Sequence, residues 1–386
     1  MLEDTNVVLG VTGSIAAVKT VELAHELRRR GATVRAIMTG SATNIIHPWA
    51  VELATDGEVV TEIGGSVEHV TFFGEDPWGD VLLIAPSTAN TVGKIASAID
   101  DTPVTTCATT ALGAGIPVVI APAMHEPMYD HPGVLEAIER LESWGVGFAD
   151  PRIEESKAKI ASEESIVLET ARAAGERPLE GKEVVVTSGA TTESIDAIRT
   201  LSNRASGTTG RAIAKACYVR GADVTLLHDG PNVPYATVES VESAAEMVAA
   251  AEEHAPAADA LVSAAAIGDY TVEQRAGKIT SGQDDLTLDL KPTPKLLDRV
   301  RERAPDLAMV GFKLEADADD ESLTSAARDL LSRVDLSFVV ANDAGAAGGA
   351  ETRALLVRPE TTEEFQGSKA SLGGRIAEAL AVELPE

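Results

Sequence analysis

Three stretches rich in Gly, Ser, Thr and Asn each follow an apolar run: Gly13-Ser14-Ile15-Ala16, Thr39-Gly40-Ser41-Ala42-Thr43 and Pro86-Ser87-Thr88-Ala89-Asn90-Thr91. Small residues where a strand turns into a helix let a phosphate approach the N–H groups of the helix's first turn, where the dipole favours negative charge. The hydroxyls and the amide add donors at the same edge. A phosphate-bearing cofactor is the chemistry such a set serves, and on the loops alone flavin, nicotinamide and nucleotide all remain open. The arrangement returns later as Thr187-Ser188-Gly189-Ala190-Thr191-Thr192-Glu193-Ser194-Ile195-Asp196 followed by Ser202-Asn203-Arg204-Ala205-Ser206-Gly207-Thr208-Thr209-Gly210. That run forms an anion-binding nest before a helix, a flexible loop being its plainer reading. An imidazole suits proton handling near neutrality, though a lone histidine is as readily a surface or satisfied core residue.

The elements that must position these loops alternate in kind. Apolar runs at 7–11, 33–38, 81–85 and 118–121 read as buried strands, with a helical pattern between the first two that closes at Gly31. Such alternation implies a parallel sheet covered on both faces. Residues 172–182 break the pattern with Gly, Pro and charge and read as a linker. A second start follows, with strands at 183–187 and 223–227 and a helix at 210–219. Arg30-Gly31-Ala32 is mirrored by Arg220-Gly221-Ala222, so both halves use one βαβ grammar without a true repeat. In such sheets ligands sit beyond the carboxyl ends of the strands, which directs attention to the loops after residues 11, 38, 85, 121, 187 and 264.

A chain of 386 residues exceeds one ordinary core. Asp plus Glu outnumber Lys plus Arg by 61 to 32, for a formal charge of −29. An acidic surface repels nucleic acid and anionic membrane, so neither is expected as a partner. Adaptation to a salty cytoplasm explains the excess, because screening makes self-repulsion tolerable; an ordinary acidic protein is the alternative. Cys107 and Cys217 stand far apart and provide neither a disulfide framework nor zinc spacing. The start shows no signal-peptide pattern and no apolar stretch approaches a membrane span, so a cytoplasmic location is expected.

Gly10-Val11-Thr12-Gly13-Ser14-Ile15-Ala16-Ala17, Ala85-Pro86-Ser87-Thr88-Ala89-Asn90-Thr91 and Ala121-Pro122-Ala123-Met124-His125-Glu126-Pro127-Met128-Tyr129 resemble the flavin-binding and substrate segments of the phosphopantothenoylcysteine decarboxylase family. The resemblance implies FMN held by Gly13, Ser14, Ile15, Thr39, Ser41, Thr88, Ala89, Asn90, Thr91 and Ala123, with His69 as the catalytic histidine. In that family the flavin oxidises the substrate thiol to a thioaldehyde, which accepts the electron pair left by carbon dioxide. Position 125 is His where the family has Asn; a neutral imidazole still donates one hydrogen bond to the substrate carboxylate. Many members carry a Cys on a substrate-covering flap, whereas Pro151-Arg152-Ile153-Glu154-Glu155-Ser156-Lys157-Ala158-Lys159-Ile160 has none. Lys157 or Lys159 is then left to supply the proton or hold the substrate phosphate, solvated surface lysines being the other reading. Cys107 is expected as buried packing.

The second half resembles phosphopantothenate–cysteine ligases through Thr187–Asp196, Ser202–Gly210, Ser263-Ala264-Ala265-Ala266-Ile267-Gly268-Asp269-Tyr270, Lys278-Ile279, Lys291-Pro292-Thr293-Pro294-Lys295, Val310-Gly311-Phe312 and Ala341-Asn342-Asp343. The resemblance implies CTP as co-substrate, with Ser263, Ala264, Ala265, Pro294, Lys295, Leu296 and Leu297 at the nucleotide. Asp269 would organise it through Mg2+, Lys278 would offset triphosphate charge, Asn203 would contact the acyl nucleotide and Phe312 would frame the base. Arg328 and Arg333 are expected to stand in for two phosphate-contacting lysines.

The combined expectation is an α/β chain of two Rossmann-like domains. Residues 1–175 form a flavodoxin-like FMN-dependent decarboxylase domain and residues 181–386 a nucleotide-binding ligase domain. The resemblance further implies small-molecule substrates and a homo-oligomer built on trimers, a dodecamer being one such assembly. Two other readings share the fold: a two-domain NAD-dependent oxidoreductase, which lacks its acidic ribose ligand after residue 38, and a non-catalytic flavin-binding regulatory protein.

Overall fold

The computed structural model describes residues 1–154, 157–280, 285–315, 319–343 and 351–385; at 153–154, 157–158, 343 and 351 it describes the backbone alone. The chain divides into two compact units, Met1–Glu176 and Arg177–Glu386. Each is an α/β sheet with helices between strands.

In chain order the first unit contains β1 (Asn6–Val11), β2 (Thr33–Met38), β3 (Val59–Val60), β4 (Val81–Ser87), β5 (Val118–Pro122), β6 (Met124–His125), β7 (Gly147–Phe148), β8 (Arg152–Glu154) and β9 (Lys157–Lys159). The main sheet runs β3-β2-β1-β4-β5-β7, parallel throughout. Its central strands are apolar on both faces, as a doubly covered sheet requires: every residue of β4 is buried. Val8, Leu82, Ile84 and Ile120 pack with Phe72, Phe73, Val104 and Cys107 in one core. Strand order reverses between β1 and β4, and a crevice opens there at the strand ends. Over it lies a small antiparallel sheet, β6-β9-β8.

The second unit contains β10 (Glu183–Thr187), β11 (Thr192–Ser194), β12 (Thr200–Ser202), β13 (Asp223–Leu227), β14 (Thr237–Glu239), β15 (Ala260–Ser263), β16 (Tyr270–Val272) and β17 (Leu290–Pro292). It continues with β18 (Ala308–Glu315), β19 (Phe338–Asp343), β20 (Glu351–Val357) and β21 (Thr362–Ser368). The sheet order is β14-β13-β10-β15-β18-β19-β20-β21. The first six strands are parallel; β20 pairs antiparallel with β19, and β21 antiparallel with β20. The reversal falls between β10 and β15. Helix Thr208–Val219 packs on the closing helix Lys369–Glu383, so the last residues complete this unit.

The mirrored Arg-Gly-Ala turns are one device used twice. Gly31 and Gly221 adopt φ of +101° and +103°, where a side chain is strained. A Cβ on either would also lie 2.9 Å from backbone, at Glu3 and Glu180 respectively. The expected linker behaves differently. Helix Glu163–Ala174 runs into it, and Leu179 is fully buried with its N–H donating to Arg220 O at 3.0 Å. With Asp223 N–H donating to Lys182 O at 2.9 Å, one apolar side chain and two backbone bonds turn residues 177–182 into a packed edge of the second unit.

Candidate functional site

In the first unit two hydroxyls tie three loops together. Buried Thr12 donates through Oγ1 to Pro86 O (2.9 Å) and accepts from Thr88 N–H (3.1 Å), joining the loops after β1 and β4. Ser14 Oγ donates to Ala123 O at 3.0 Å, which brings in the loop after β5. Thr88 Oγ1 caps helix Ala89–Ala96 by accepting from Thr91 N–H at 3.3 Å. Thr39 Oγ1 likewise caps Gly40–Thr43 through Ala42 N–H at 3.3 Å, with Ser41 Oγ 3.0 Å away. These are N-cap bonds of the usual kind, written locally into each loop.

The loops enclose a cavity of about 750 Å³. Of the expected residues, Gly13, Ser14, Ile15, Thr88, Ala89, Ala123 and His125 line it. Thr39, Ser41, Asn90 and Thr91 are not part of the lining; Thr39 and Thr91 are buried, Ser41 and Asn90 exposed. Sequence reasoning did not assign Lys19 or Arg152 to it, and both line it together with Lys159. Arg152 was within sight, inside the quoted flap segment. The side chain of Lys157 lies outside the described residues, as do Glu155 and Ser156.

His69 is not part of that lining. It sits in the short helix Glu68–Phe73, anchored by buried Phe72 and Phe73. Its Nδ1 is buried without a hydrogen-bond partner among the described residues. Ile63, Val67 and Val70 are exposed apolar neighbours. Cys107 and Cys217 are fully buried, and burial pushes both thiols up to about 12.

The second unit builds its site at the β10/β15 crevice. Thr187 Oγ1 accepts from Ala265 N–H at 3.1 Å and Thr191 Oγ1 from Gly268 N–H at 2.8 Å. Ser188 Oγ donates to Gly207 O at 2.9 Å, folding the nest before helix Thr208–Val219 back onto β10. Asn203 Nδ2 donates to Ala266 O at 3.2 Å. Thr293 Oγ1 donates to Gly268 O at 2.5 Å, and Lys295 Nζ meets Asp269 Oδ1 at 2.5 Å. Asn203, the 263–269 loop, Asp269 and Lys295 are thereby brought together.

Lys278 is exposed, and its position is set by a clamp that the sequence reading did not assign. Asp196 is 2% exposed. Its Oδ2 accepts Ile279 N–H at 2.9 Å, its Oδ1 accepts Ile198 and Arg199 N–H at 2.8 Å, and Arg199 Nη1 bridges from Oδ2 to Ile279 O. The Ile279 N–H holds the Asp196 carboxyl well below the usual carboxylate range despite desolvation, with the Arg199 and Ile198 N–H groups and the Arg199 charge adding to it. Asp followed three residues later by Arg is the local signal, since an Asp side chain readily accepts the N–H groups that follow it.

Other expected residues stand elsewhere. Leu296 is in the hydrophobic core with Leu297 packed against it, so they offer the site backbone alone. Pro294 is exposed beside Lys295, and Phe312 is half-buried on β18 opposite Val340. Arg328 and Arg333 are turned away. Arg328 Nη2 reaches Thr362 Oγ1 at 3.5 Å; Thr362 begins β21, which pairs with the far end of β20. Arg333 lies in the last turn of helix Asp320–Val334, just before β19 begins, and pairs with Asp298. A helix following a parallel strand returns to the amino edge of the sheet, so arginines late in it face away from the ligand edge.

Among the described residues no group of three or more potential metal ligands forms, and no helix is long and apolar enough to cross a membrane.

Comparison with known proteins agrees across the chain. The Flavoprotein family matches residues 1–175, and the family described as DNA/pantothenate metabolism flavoprotein C-terminal domain matches residues 179–383. The coenzyme A biosynthesis bifunctional protein CoaBC of Thermococcus kodakarensis is 50% identical over 358 residues, covering 91% of this chain and 88% of that protein. CoaBC of Methanocaldococcus jannaschii is 35% identical over 386 residues, covering 98% and 94%. CoaBC of Bacillus subtilis is 34% identical over 381 residues, covering 92% and 91%.

Proposed function

The chain belongs to the family of bifunctional coenzyme A biosynthesis CoaBC proteins, and from that premise we propose that it converts 4′-phosphopantothenate into 4′-phosphopantetheine in two steps. It is a phosphopantothenate–cysteine ligase and a phosphopantothenoylcysteine decarboxylase. The ligase uses CTP: a carboxylate oxygen of 4′-phosphopantothenate attacks the α-phosphorus, pyrophosphate leaves, and the cysteine amine then attacks the acyl carbon and expels CMP. The decarboxylase acts on the resulting 4′-phospho-N-pantothenoylcysteine with FMN as cofactor.

The observation that carries this reading is the first unit's cavity, built by the loops after β1, β4 and β5 at the strand-order reversal. It fits FMN. Its volume lies within the roughly 300–1,000 Å³ of small-ligand sites, and no carboxylate lines it among the described residues. The fully buried Ser87 hydroxyl ends β4 without a hydrogen-bond partner among the described residues, beside Ala123, whose N–H donates to Ser87 O at 2.9 Å. When bound, FMN supplies a two-electron oxidation of the substrate thiol, the electron sink that a cysteine carboxylate lacks.

The chain's own residues do the rest. Gly13, Ser14, Ile15, Thr88, Ala89 and Ala123 form the cradle, and Thr39, Ser41, Asn90 and Thr91 support it. His125 donates a hydrogen bond to the substrate carboxylate, and His69 moves the proton. His69 does not line the cavity of its own unit, and the exposed apolar side chains around it suit burial against a second copy, which supports a homo-oligomer whose subunits complete one another's sites. In the ligase, Asn203 holds the acyl nucleotide, Lys278 faces the phosphates and Phe312 frames the base. Ser263, Ala264 and Ala265 supply the loop, and Asp269 with Lys295 closes it. A lone carboxylate already paired to a lysine is a weak metal site, so Mg2+ fits here as an ion carried by the triphosphate, with Asp269 its one protein ligand.

The test is reconstitution of purified protein with phosphopantothenate, cysteine and either CTP or ATP, following pyrophosphate, carbon dioxide and phosphopantetheine together. Yellow protein with CTP-dependent release of both small products supports the reading. Protein that never takes up FMN, or pyrophosphate release without carbon dioxide, overturns it.

A further inference from the structure

We propose that His125 is the proton donor of the decarboxylase, delivering to Cα of the substrate the proton that takes the place of carbon dioxide. The inference rests on the decarboxylase reading above and deepens it by assigning a second proton transfer, separate from that of the thiol, which His69 handles.

The balance of the reaction defines the task. Oxidation of the substrate thiol is later reversed, so the net change is redox-neutral: carbon dioxide leaves Cα and one proton takes its place. When the C–C bond breaks, its electron pair is held on the substrate as an enethiolate, and a proton must then reach Cα from within the cavity. Few of the lining side chains can give one. Arg152 keeps its proton. Lys19 stands 3.6 Å from Glu163, and Lys159 is already engaged by a neighbour. The Ser14 and Thr88 hydroxyls tie and cap their loops. Both cysteines are fully buried, and neither lines the cavity. His125 does line it.

The local sequence leaves that ring free. His47, His125 and His131 each N-cap a helix with proline in its first turn. Directly after His47 and His131 comes Pro, and the N–H of the second helical residue is then taken by the imidazole. Nδ1 accepts it from Trp49 at 3.2 Å and from Gly133 at 3.1 Å. After His125 the order is Glu126-Pro127, which puts proline, with no N–H to donate, at that second position. His125 accordingly makes no cap bond, and its ring has no hydrogen bond or ion pair among the described residues.

Both ring nitrogens are therefore available. One gives its proton to Cα while the other takes a proton from solvent at the exposed side of the residue, so the imidazole stays neutral and only its tautomer changes. A capping bond, as in His47 and His131, would occupy the second nitrogen. The ring that hydrogen-bonds the carboxylate is also within reach of the carbon that carried it, so no regrouping separates carboxyl loss from protonation.

The experiment is a single turnover without oxygen, with FMN-loaded full-length protein in excess over 4′-phospho-N-pantothenoylcysteine. Flavin absorbance, carbon dioxide and the mass of the substrate-derived product are followed for the parent, His125→Asn, His125→Gly and Lys159→Gln. Asn keeps a hydrogen bond to the carboxylate and has no proton to pass on. In the parent the yellow colour fades and returns, and 4′-phosphopantetheine forms. In His125→Asn carbon dioxide is still released, the colour returns about 10²-fold more slowly, and the product is two hydrogens short of 4′-phosphopantetheine. Added imidazole speeds the return in His125→Gly. Recovery of colour by His125→Asn at the parent's rate overturns the proposal. So does a His125→Asn that binds FMN but neither bleaches nor releases carbon dioxide, since the ring would then serve the carboxylate alone. A stall that imidazole does not relieve in His125→Gly, or a stall found in Lys159→Gln and not in His125→Asn, overturns it as well. A parent that binds FMN and substrate without bleaching or releasing carbon dioxide sinks the decarboxylase reading itself, and the proposal with it.

Discussion

Replacing Gly13 by Ala tests how the first unit's loops are built. The φ of Gly13 is not in the left-handed region, so what glycine provides there is space. A Cβ at this position would lie 2.4 Å from Ser41 Oγ, 2.6 Å from Ser41 Cβ and 3.3 Å from Ser41 carbonyl carbon. Rotation about χ1 moves the hydroxyl out of the way and leaves the Cβ overlap untouched. Carbon atoms rest at about 3.5–4.0 Å, so helix Gly40–Thr43 must retreat by about 1 Å. That helix is held by the Thr39 cap, buried Ala42 and the Thr39 N–H bond to Val11 O at 3.0 Å. Overpacking of this kind costs about 1–3 kcal/mol, which corresponds to about 5- to 150-fold in FMN affinity if the strain falls on the bound state. Titration of apoprotein by quenching of flavin fluorescence reads the affinity, and thermal unfolding without flavin reads any share borne by the empty protein. Adding Ser41→Gly removes Cβ and Oγ together and recovers most of the loss, leaving the 3.3 Å contact and about 0.5–1 kcal/mol for glycine in a helix. Parent-like affinity and stability in Gly13→Ala, or a Ser41→Gly second change that restores nothing, would refute the steric argument.

Three further outcomes are expected. His69→Asn lowers carbon dioxide release by about 10²- to 10⁴-fold, the range of one acid–base group, while FMN still binds because His69 is outside the cavity wall; flavin absorbance and product release read the two separately. Asp196→Asn loosens the Ile279 and Arg199 contacts and impairs ligation more than decarboxylation, measured with each unit's own substrate. Because the folded-state pKa of Asp196 lies below its ordinary value of 3.8, its stabilisation is present above about pH 4 and is lost as pH falls through the folded value. The parent's advantage over Asp196→Asn in urea midpoint should therefore be level from pH 7 to 5 and shrink below pH 4; an advantage that grows on acidification contradicts this. Cys107 and Cys217 stay unreactive toward a thiol-specific disulfide reagent in native protein at pH 8, since burial holds both near 12, and both react after denaturation. Rapid native labelling would mean that one of them is accessible.

Much of the fold was legible because its cues are local. The strands read at 33–38, 183–187 and 223–227 coincide with β2, β10 and β13, where apolar runs meet Gly, Ser or Thr. The helix read from 210 begins at Thr208 instead, since Gly207 can take the left-handed cap conformation while keeping the turn tight. Residues 172–182 carried the composition of a linker, and one buried leucine packed them. Arg328 and Arg333 were read as stand-ins for two phosphate-contacting lysines, but residue type does not encode which edge of the sheet a helix position faces. His69 shared a motif set with His125 without sharing a cavity, because the two lie on separate elements whose relative placement no spacing records.

The residue types and their local spacing determined the alternation of strands and helices and the hydroxyl caps, while the family was legible through the resemblance of whole motifs. Tertiary structure decided which loops meet: Thr12 and Ser14 fasten three of them across more than seventy residues, Asp196 reaches Ile279, and Arg152 comes to stand opposite Lys159. The division has a physical cause. Caps, turns and burial patterns depend on the nearest few residues, whereas a ligand site depends on sheet order and strand register, set by packing of the whole unit.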